Sequence, residues 1–259
     1  LNGQFYEYEQ EYDSIAIDKS IEGRFSQLIR SAKLKTGRNV VVLIDEYDKP
    51  MLQAIGNEEL QIQLRNMLKA FYGTLKSADG DLWFVLLTGV TKFSKVSVFS
   101  DLNNLNDISM DSEYSDICGI SEEELRDVFD DEIAILADYN NQSKEDAYKE
   151  LKKRYDGYHF SERAMGVYNP FSVLNTLSKR EYRSYWFSTG TPTYLVELLK
   201  KFDFKLENLS GYEASASTLD SIQLSVDNPI PVLYQSGYLT IKDYDKEFKL
   251  YTLDFPNEE

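Results

Sequence analysis

Two neighbouring acidic residues follow the most apolar run of the 259-residue chain, where they are well placed for chemistry on phosphates. Asn39 is followed by Val-Val-Val-Leu-Ile, which leads directly into Asp45 and Glu46. A continuously apolar, β-branched run of this kind predicts a strand that is buried on both faces of a parallel sheet. The two carboxylates then lie at the carboxyl end of the strand, the edge at which open α/β sheets bind ligands.

Adjacent carboxylates at such an edge can divide two catalytic tasks between them. In P-loop ATPases the first acid holds Mg²⁺, usually through a water molecule, and the second orients or deprotonates the attacking water. On this interpretation Asp45 is the metal residue, and Asp45 and Glu46 are both catalytic. The alternative is that the two side chains only end a strand in solvent, because motifs of this length also occur by chance.

The next predicted strand along the chain also ends in polar residues, among them Thr88, Thr91 and Lys92. If the two strands are parallel neighbours, Asp45 and Thr88 lie side by side and the second acid faces the same crevice. Thr88 is then a catalytic residue that senses the γ-phosphate, a role that Thr91 could also fill. Thr91 and Lys92 are further predicted to contact the nucleotide. The alternative is a turn whose hydroxyl groups bond loose backbone groups.

Amphipathic periods, capping residues and apolar runs predict the elements around these strands. The predicted order is helix 21–32, strand 39–44, helix 60–75, strand 81–89, helices 121–137, 143–155, 169–177, 191–202 and 229–235, and a hairpin over 238–253. The first fifteen residues have no clear period. Strand, helix and strand in this order predict a βαβ unit. The last two helices and the hairpin predict a compact winged-helix-like subdomain.

Missing motifs and the overall charge exclude several other functions. The chain contains neither G-x-x-x-x-G-K-[ST] nor G-x-G-x-x-G, and its one histidine, His159, is interpreted as a packing residue. A lone Cys118 has no companion for zinc. A net charge of −16 disfavours nonspecific nucleic-acid binding. No apolar run is long enough to cross a membrane, and a cytoplasmic location is expected. The short match Glu247-Phe-Lys249 suggests a nuclease only weakly.

Several blocks of this sequence also resemble a known family. The chain is similar to the bacterial AAA-ATPase-like family, whose longer members join a P-loop ATPase-like region to a C-terminal PD-(D/E)XK nuclease domain. The resemblance runs from about residue 20 to the end. The blocks that carry it are Leu43-Ile-Asp-Glu-Tyr-Asp-Lys-Pro-Met51, Leu87-Thr-Gly-Val-Thr-Lys-Phe-Ser-Lys-Val-Ser97, Phe99-Ser-Asp-Leu-Asn-Asn-Leu105, Tyr155-Asp-Gly-Tyr158, Tyr168-Asn-Pro-Phe171, Tyr185-Trp-Phe-Ser-Thr-Gly-Thr-Pro-Thr193 and Tyr234-Gln-Ser-Gly-Tyr-Leu239.

This resemblance implies a fold and a division of the chain. The expected fold class is α/β, with a partial P-loop NTPase-type parallel sheet followed by a mostly helical, winged-helix-like C-terminal part. The expected divisions are 1–120 for the partial ATPase core, 121–190 for a helical region and 191–259 for the winged-helix-like subdomain. The family's phosphate-binding loop, similar to R-P-R-R-F-G-K-S, lies upstream of the first matching block, so this chain is expected to begin after it. The nuclease domain is expected beyond Glu259.

The resemblance also implies a function. It favours a nucleotide-dependent switch that binds ATP and Mg²⁺ in the full-length protein and regulates the attached nuclease, with nucleic acid contacted only indirectly. This fragment alone is expected to be inactive. Asn103, with Asn104 beside it, is a candidate nucleotide contact, while Asp156 and Trp186 are interpreted as packing residues. The alternative is a non-catalytic protein- or DNA-interaction module that uses the winged-helix-like region. The mixed charges of its predicted wing favour protein over DNA.

Overall fold

The fold is mixed α/β and divides into two compact units. The computed structural model describes residues 2–54, 57–91, 104–162, 165–190, 199, 209–219 and 228–259. The first unit covers Leu1–Asn106, and the second contains most of the residues from Asp107 to Glu259. Each unit has its own apolar core. The division of the chain at residues 120 and 190 stays a prediction.

The first unit contains the parallel sheet expected from the sequence. Its elements are α1 (Asn2–Glu11), α2 (Ile21–Thr36), β1 (Val40–Ile44), α3 (Lys49–Gln53), α4 (Glu58–Ser77), a 3-10 turn (Asp79–Asp81) and β2 (Leu82–Leu87). Strands β1 and β2 pair in parallel, which confirms the predicted neighbours. Ser20 and Asn57 cap the two long helices α2 and α4 through their side-chain oxygens. Gly37 ends α2 in the left-handed conformation, with φ at 68°, as predicted.

Helix α1 lies where the sequence showed no period, and tertiary contacts hold it in place. The ring of Phe5 stacks on Phe25 at 6.0 Å and lies 6.3 Å from Phe71. The guanidinium of Arg24 donates to both carboxylate oxygens of Glu9, at 2.7 and 2.9 Å, and lies over the Phe5 ring. A short polar helix has little stability of its own, so these contacts explain why α1 forms although its sequence has no clear apolar period.

The prediction that both strands are buried on two faces is wrong. One face packs on α2 and α4 through Val42, which is 8% exposed, and its neighbours. The other face carries Val41, Leu43 and Phe84, and Leu43 is 68% exposed. Parallel sheets are normally covered on both faces, so the apolar run was a sound reason to expect burial. Among the described residues of this unit, helices cover one face only.

The second unit is helical at first and ends in a small sheet. Its elements are a 3-10 turn (Ser112–Tyr114), α5 (Glu122–Val128), α6 (Asp130–Tyr139), α7 (Lys144–Tyr155), α8 (Pro170–Lys179), α9 (Tyr185–Gly190), β3 (Tyr212–Ser215), α10 (Ala216–Leu219), α11 (Ile230–Gln235), β4 (Thr240–Asp245) and β5 (Leu250–Asp254). The capping box of Ser121 and Glu124 is confirmed. The single helix predicted over 121–137 is instead two helices. Phe129 ends the first helix and precedes the second.

The C-terminal hairpin forms as predicted, and it gains a third strand. Strands β4 and β5 pair antiparallel, and α11 precedes them as expected. Strand β3 pairs with the other edge of β5, which gives the order β3-β5-β4. The helix predicted over Thr191–Phe202 lies outside the described residues except for Leu199. The winged-helix assignment therefore remains a proposal.

Tyr155 is the polar centre of the helical core and supports a stability prediction. Its buried hydroxyl donates to the carbonyl of Arg183 at 2.9 Å and accepts from the Arg183 N–H at 3.1 Å and from the Thr176 hydroxyl at 2.9 Å. Removing the Tyr155 hydroxyl takes away one hydrogen-bond partner from each of these three groups. We expect Tyr155→Phe to lower the free energy of unfolding by about 1–3 kcal/mol in urea denaturation. Tyr139→Phe, at an exposed tyrosine, is the matched control. Equal stability of both variants contradicts this role.

Candidate functional site

The carboxyl ends of β1 and β2 bring together the two side chains that the sequence predicted to be neighbours. Ile44 pairs with Leu87, so Asp45 and Thr88 follow at equivalent positions on the two parallel strands. The Thr88 N–H donates to the Ile44 carbonyl at 2.9 Å. The Thr88 hydroxyl donates to Asp45 Oδ1 at 2.6 Å, and both side chains are exposed. The predicted juxtaposition is therefore confirmed, while the catalytic roles stay predictions.

Glu46 has an unusual backbone conformation at the same edge. Its φ of 54° places it in the left-handed region, which a residue with a Cβ adopts at a cost of about 1–2 kcal/mol. Its N–H donates to Asp45 Oδ1 at 2.8 Å. Strain of this kind concentrates at functional sites. The left-handed turn redirects the chain immediately after the strand, so the second acid does not continue the alternation of β1.

The carboxylate of Glu46 forms an exposed ion pair with Lys49 on α3. Lys49 Nζ lies 2.6 Å from Glu46 Oε2, and more than half of each side chain is exposed. The hydrogen bond to Glu46 raises the pKa of Lys49, with further support from the charges of Glu46 and Asp45. An exposed pair of this kind contributes little stability. Glu46 is thus held near the edge by a contact that can break without a large loss of stability.

Thr91, the other threonine predicted here, is buried rather than exposed. Its N–H and hydroxyl donate to the carboxylate of Asp48, at 2.5 and 2.6 Å. Asp48 is 1% exposed, and sequence reasoning gave it no role. The only signal was that three acids lie within four residues, which does not reveal which of them is buried. Of the two threonines considered as γ-phosphate sensors, Thr88 is the one whose hydroxyl lies at the exposed edge.

The remaining predicted contacts cannot be placed at the edge. Lys92 and Asn103 lie outside the described residues. Asn104 is described and exposed.

His159, which the sequence predicted to be a packing residue, lies in the second unit. Its backbone N–H donates to the Thr240 hydroxyl, and its Nδ1 bonds the carbonyl of Gly157 at 3.0 Å. Burial lowers the pKa of His159, which suits the predicted packing role.

The donor atoms at the edge are oxygens, the ligands that Mg²⁺ prefers. Within the ranges that the structure describes, no group of three or more His, Cys, Asp or Glu residues could hold a metal ion. Mg²⁺ usually takes only one or two carboxylates and completes its shell with water and substrate phosphates. The side chains at this edge therefore fit a metal that arrives with phosphates better than a metal held by protein alone.

Comparisons with known proteins match the chain to one family model and one relative. Residues 1–99 match the model of a family described as Predicted AAA-ATPase. The chain is also 41% identical over 241 residues to an uncharacterized protein in the vnfD 5′ region of Azotobacter chroococcum mcd 1. That match covers 91% of this chain, and the chain spans 44% of the relative's length. No solved structure matches the chain.

The family match covers residues 1–99 and therefore includes both strands of the β1–β2 edge. In the described part of the chain, no helix has both the length and the apolar character needed to cross a lipid bilayer.

Proposed function

We propose that the β1–β2 edge is the metal-and-water half of an ATP site, in a protein that uses ATP as a switch. The observation that carries this proposal is the hydrogen bond between Thr88 and Asp45 at the carboxyl ends of two neighbouring parallel strands. Ligands bind at such ends in open α/β sheets. The match of residues 1–99 to a predicted ATPase family supports ATP as the ligand.

Asp45 is the residue proposed to hold Mg²⁺. Thr88 and the Glu46 N–H both bond its Oδ1, which fixes the orientation of the carboxylate. A preoriented carboxylate loses little entropy when it engages a metal, directly or through water. A Mg²⁺ ion held by Asp45 would supply positive charge to stabilise the negative charge that develops on the phosphates. Thr88, which lies beside this carboxylate, is the residue proposed to sense the γ-phosphate.

Glu46 is the residue proposed to orient the attacking water. It is adjacent to Asp45, but its left-handed backbone gives its side chain a different direction from that of the strand. Two roles require two positions, and this turn supplies the second one. The exposed pair with Lys49 holds the carboxylate until a water and a phosphate are present. Release costs little, because the pair lies in solvent.

The phosphate-binding half of the site is proposed to come from another part of a longer protein. This chain contains no G-x-x-x-x-G-K-[ST], the motif whose backbone N–H groups and lysine cradle phosphates. The relative from Azotobacter chroococcum is more than twice as long as the matched region, so additional elements are available in that protein. We therefore place the loop outside these 259 residues.

This placement predicts weak binding of Mg-ATP by the chain alone. Without a phosphate loop, most of the donors that neutralise the phosphates are missing, so we expect no saturation at micromolar Mg-ATP in isothermal titration calorimetry. The longer protein that includes the loop should bind at least about 100-fold more tightly. A micromolar or tighter dissociation constant for the chain alone contradicts the placement.

The second unit is proposed to relay the nucleotide state to an attached nuclease domain in the cytoplasm, through a winged-helix-like subdomain. The support for the subdomain is the antiparallel hairpin with α11 before it and the extra strand β3. In the longer protein, nuclease activity measured with ATP, ADP and no nucleotide tests the relay. Equal rates in all three conditions contradict it.

The second candidate function is a non-catalytic interaction module built on the three-stranded sheet β3-β5-β4 of the second unit. One contact favours a protein partner over DNA. Lys242, one of three lysines in the predicted wing, donates to the carbonyl of Pro256 at 2.9 Å and is thus engaged within the chain. Its neighbours Asp243 and Asp245 are acidic. If the longer protein binds no nucleotide, this candidate replaces the ATP switch.

A further inference from the structure

The carboxylate of Asp48 is buried next to the proposed site, and the proposed ATPase mechanism gives it no role. Asp48 is 1% exposed and lies directly before α3. An aspartate at this position normally caps the helix through its side chain. Here the Asp48 side chain makes no capping hydrogen bond to α3. The carboxylate therefore serves a different part of the chain.

That part is the segment Thr88–Thr91, which follows β2. Asp48 Oδ2 accepts from the Thr91 N–H at 2.5 Å and from the Thr91 hydroxyl at 2.6 Å, and Oδ1 accepts from the Val90 N–H at 3.3 Å. Burying a charge is costly unless several donors compensate it, and these three donors do so. Hydrogen bonds to a charged acceptor are also stronger than neutral ones. Asp48 thus binds the segment after β2 firmly to the segment after β1.

Tyr47 adds two more bonds between the same segments. Its N–H donates to the Thr88 carbonyl at 3.0 Å, and its hydroxyl donates to the Thr91 carbonyl at 2.8 Å. Beneath it, the Tyr72 hydroxyl on α4 donates to the Tyr47 carbonyl at 3.3 Å. Burial, with a contribution from the charge of Asp48, raises the pKa of Tyr72 to about 12.

Gly89 is a point of close approach between the two segments. A Cβ at Gly89 would lie 2.5 Å from Asp48 Oδ1 and 2.8 Å from the ring of Tyr47. Contacts this short essentially never occur for real Cβ atoms, so a larger residue must displace the side chains of Asp48 and Tyr47. The glycine therefore belongs to the same arrangement as the two residues that hold the segment.

We propose that Tyr47 and Asp48 form a clamp that positions Thr88 against Asp45 by fixing the segment Thr88–Thr91. They are positioning residues, and their role in catalysis rests on the proposed ATP site. Thr91 belongs to the clamp, because both its N–H and its hydroxyl are bonded to Asp48. Thr88 is left as the threonine that faces the reaction. The clamp converts a pair of strand ends into a rigid two-residue site.

Hydrogen exchange at the amides of Val90 and Thr91, followed by NMR in this chain, tests the clamp without any nucleotide. We expect Asp48→Ala and Gly89→Ala each to accelerate exchange at these amides by about tenfold or more, relative to amides in α2. Thr91→Val removes only the hydroxyl bond and should give a smaller acceleration, while Thr91→Ser should restore the wild-type rate. Asp79→Ala, at an exposed aspartate of the same unit, is the control. If Asp48→Ala does not fold, the comparison of exchange rates between Thr91→Val and Thr91→Ser tests the clamp instead.

Unchanged exchange rates at both amides in Gly89→Ala, or equal exchange rates in Thr91→Val and Thr91→Ser, overturn the clamp whether or not the protein hydrolyses ATP.

Steady-state kinetics of the longer protein test the positioning role separately. We expect Thr91→Val to lower kcat for ATP hydrolysis several-fold with little change in KM, and Thr91→Ser to keep the wild-type kcat. A wild-type protein without ATPase activity refutes the proposed function and leaves the exchange result standing. A kcat that is equal in the two Thr91 variants overturns the positioning role.

Discussion

Replacing Asp45 by asparagine in the proposed longer, loop-containing protein is expected to lower the rate of ATP hydrolysis by about 100-fold or more. The variant loses the negative charge proposed to hold Mg²⁺, and metal stabilisation of the developing charge is worth several kcal/mol. The fold should be kept, because an amide oxygen can still accept from the Thr88 hydroxyl and the Glu46 N–H, as the carboxylate does. A steady-state phosphate-release assay measures the rate.

The control for this substitution is Asp79→Asn, which removes an equal charge from an exposed position of the same unit. Thermal unfolding of both variants should match that of the wild type. If Asp45→Asn hydrolyses ATP at the wild-type rate, Asp45 does not hold the metal. If it loses activity only because it unfolds, its melting temperature will fall well below that of Asp79→Asn.

Phe71→Ala is expected to destabilise the first unit by about 3–5 kcal/mol, the range typical of buried phenylalanines. Phe71 is buried on α4, and its ring lies 4.6 Å from the ring of Phe25 and 5.1 Å from that of Tyr72. Truncation removes the centre of an aromatic cluster and leaves a cavity. The loss should appear in the transition that reports the first unit during urea denaturation.

Phe84→Ala is the matched control, since Phe84 lies in the same unit on the exposed face of the sheet. We expect it to change stability by less than about 1 kcal/mol. A larger loss for Phe84→Ala than for Phe71→Ala would mean that the uncovered face, rather than the α2–α4 side, carries the core of this unit.

The sequence predicted the strand pair and its edge because both depend on local patterns. A β-branched run that ends in acids identifies β1, and a second apolar run identifies β2. Their parallel pairing follows from the helix between them. Burial on both faces could not be predicted, because the same run also fits a strand such as β1, in which Leu43 is exposed. Periodicity reports apolar character and does not report what packs on it.

Two features of the site depend on contacts that no local pattern reveals. Asp48 resembles a helix cap in sequence, and only the approach of Thr91 from the end of β2 shows that it is buried. The left-handed backbone of Glu46 is equally unexpected, since glutamate has no preference for that conformation. Strand β3 was missed for a related reason. Its sequence Tyr-Glu-Ala-Ser is weakly apolar, and it forms by pairing with β5.

Anomalous diffraction from crystals of the longer protein, grown with Mn²⁺ and a non-hydrolysable ATP analogue, tests the central claim most directly. The account predicts a manganese peak at the β1–β2 edge, bound to Asp45 directly or through one water, beside Thr88 and the analogue's phosphates. A nucleotide and metal bound elsewhere in the protein, with neither at the Asp45–Thr88 pair, would contradict it.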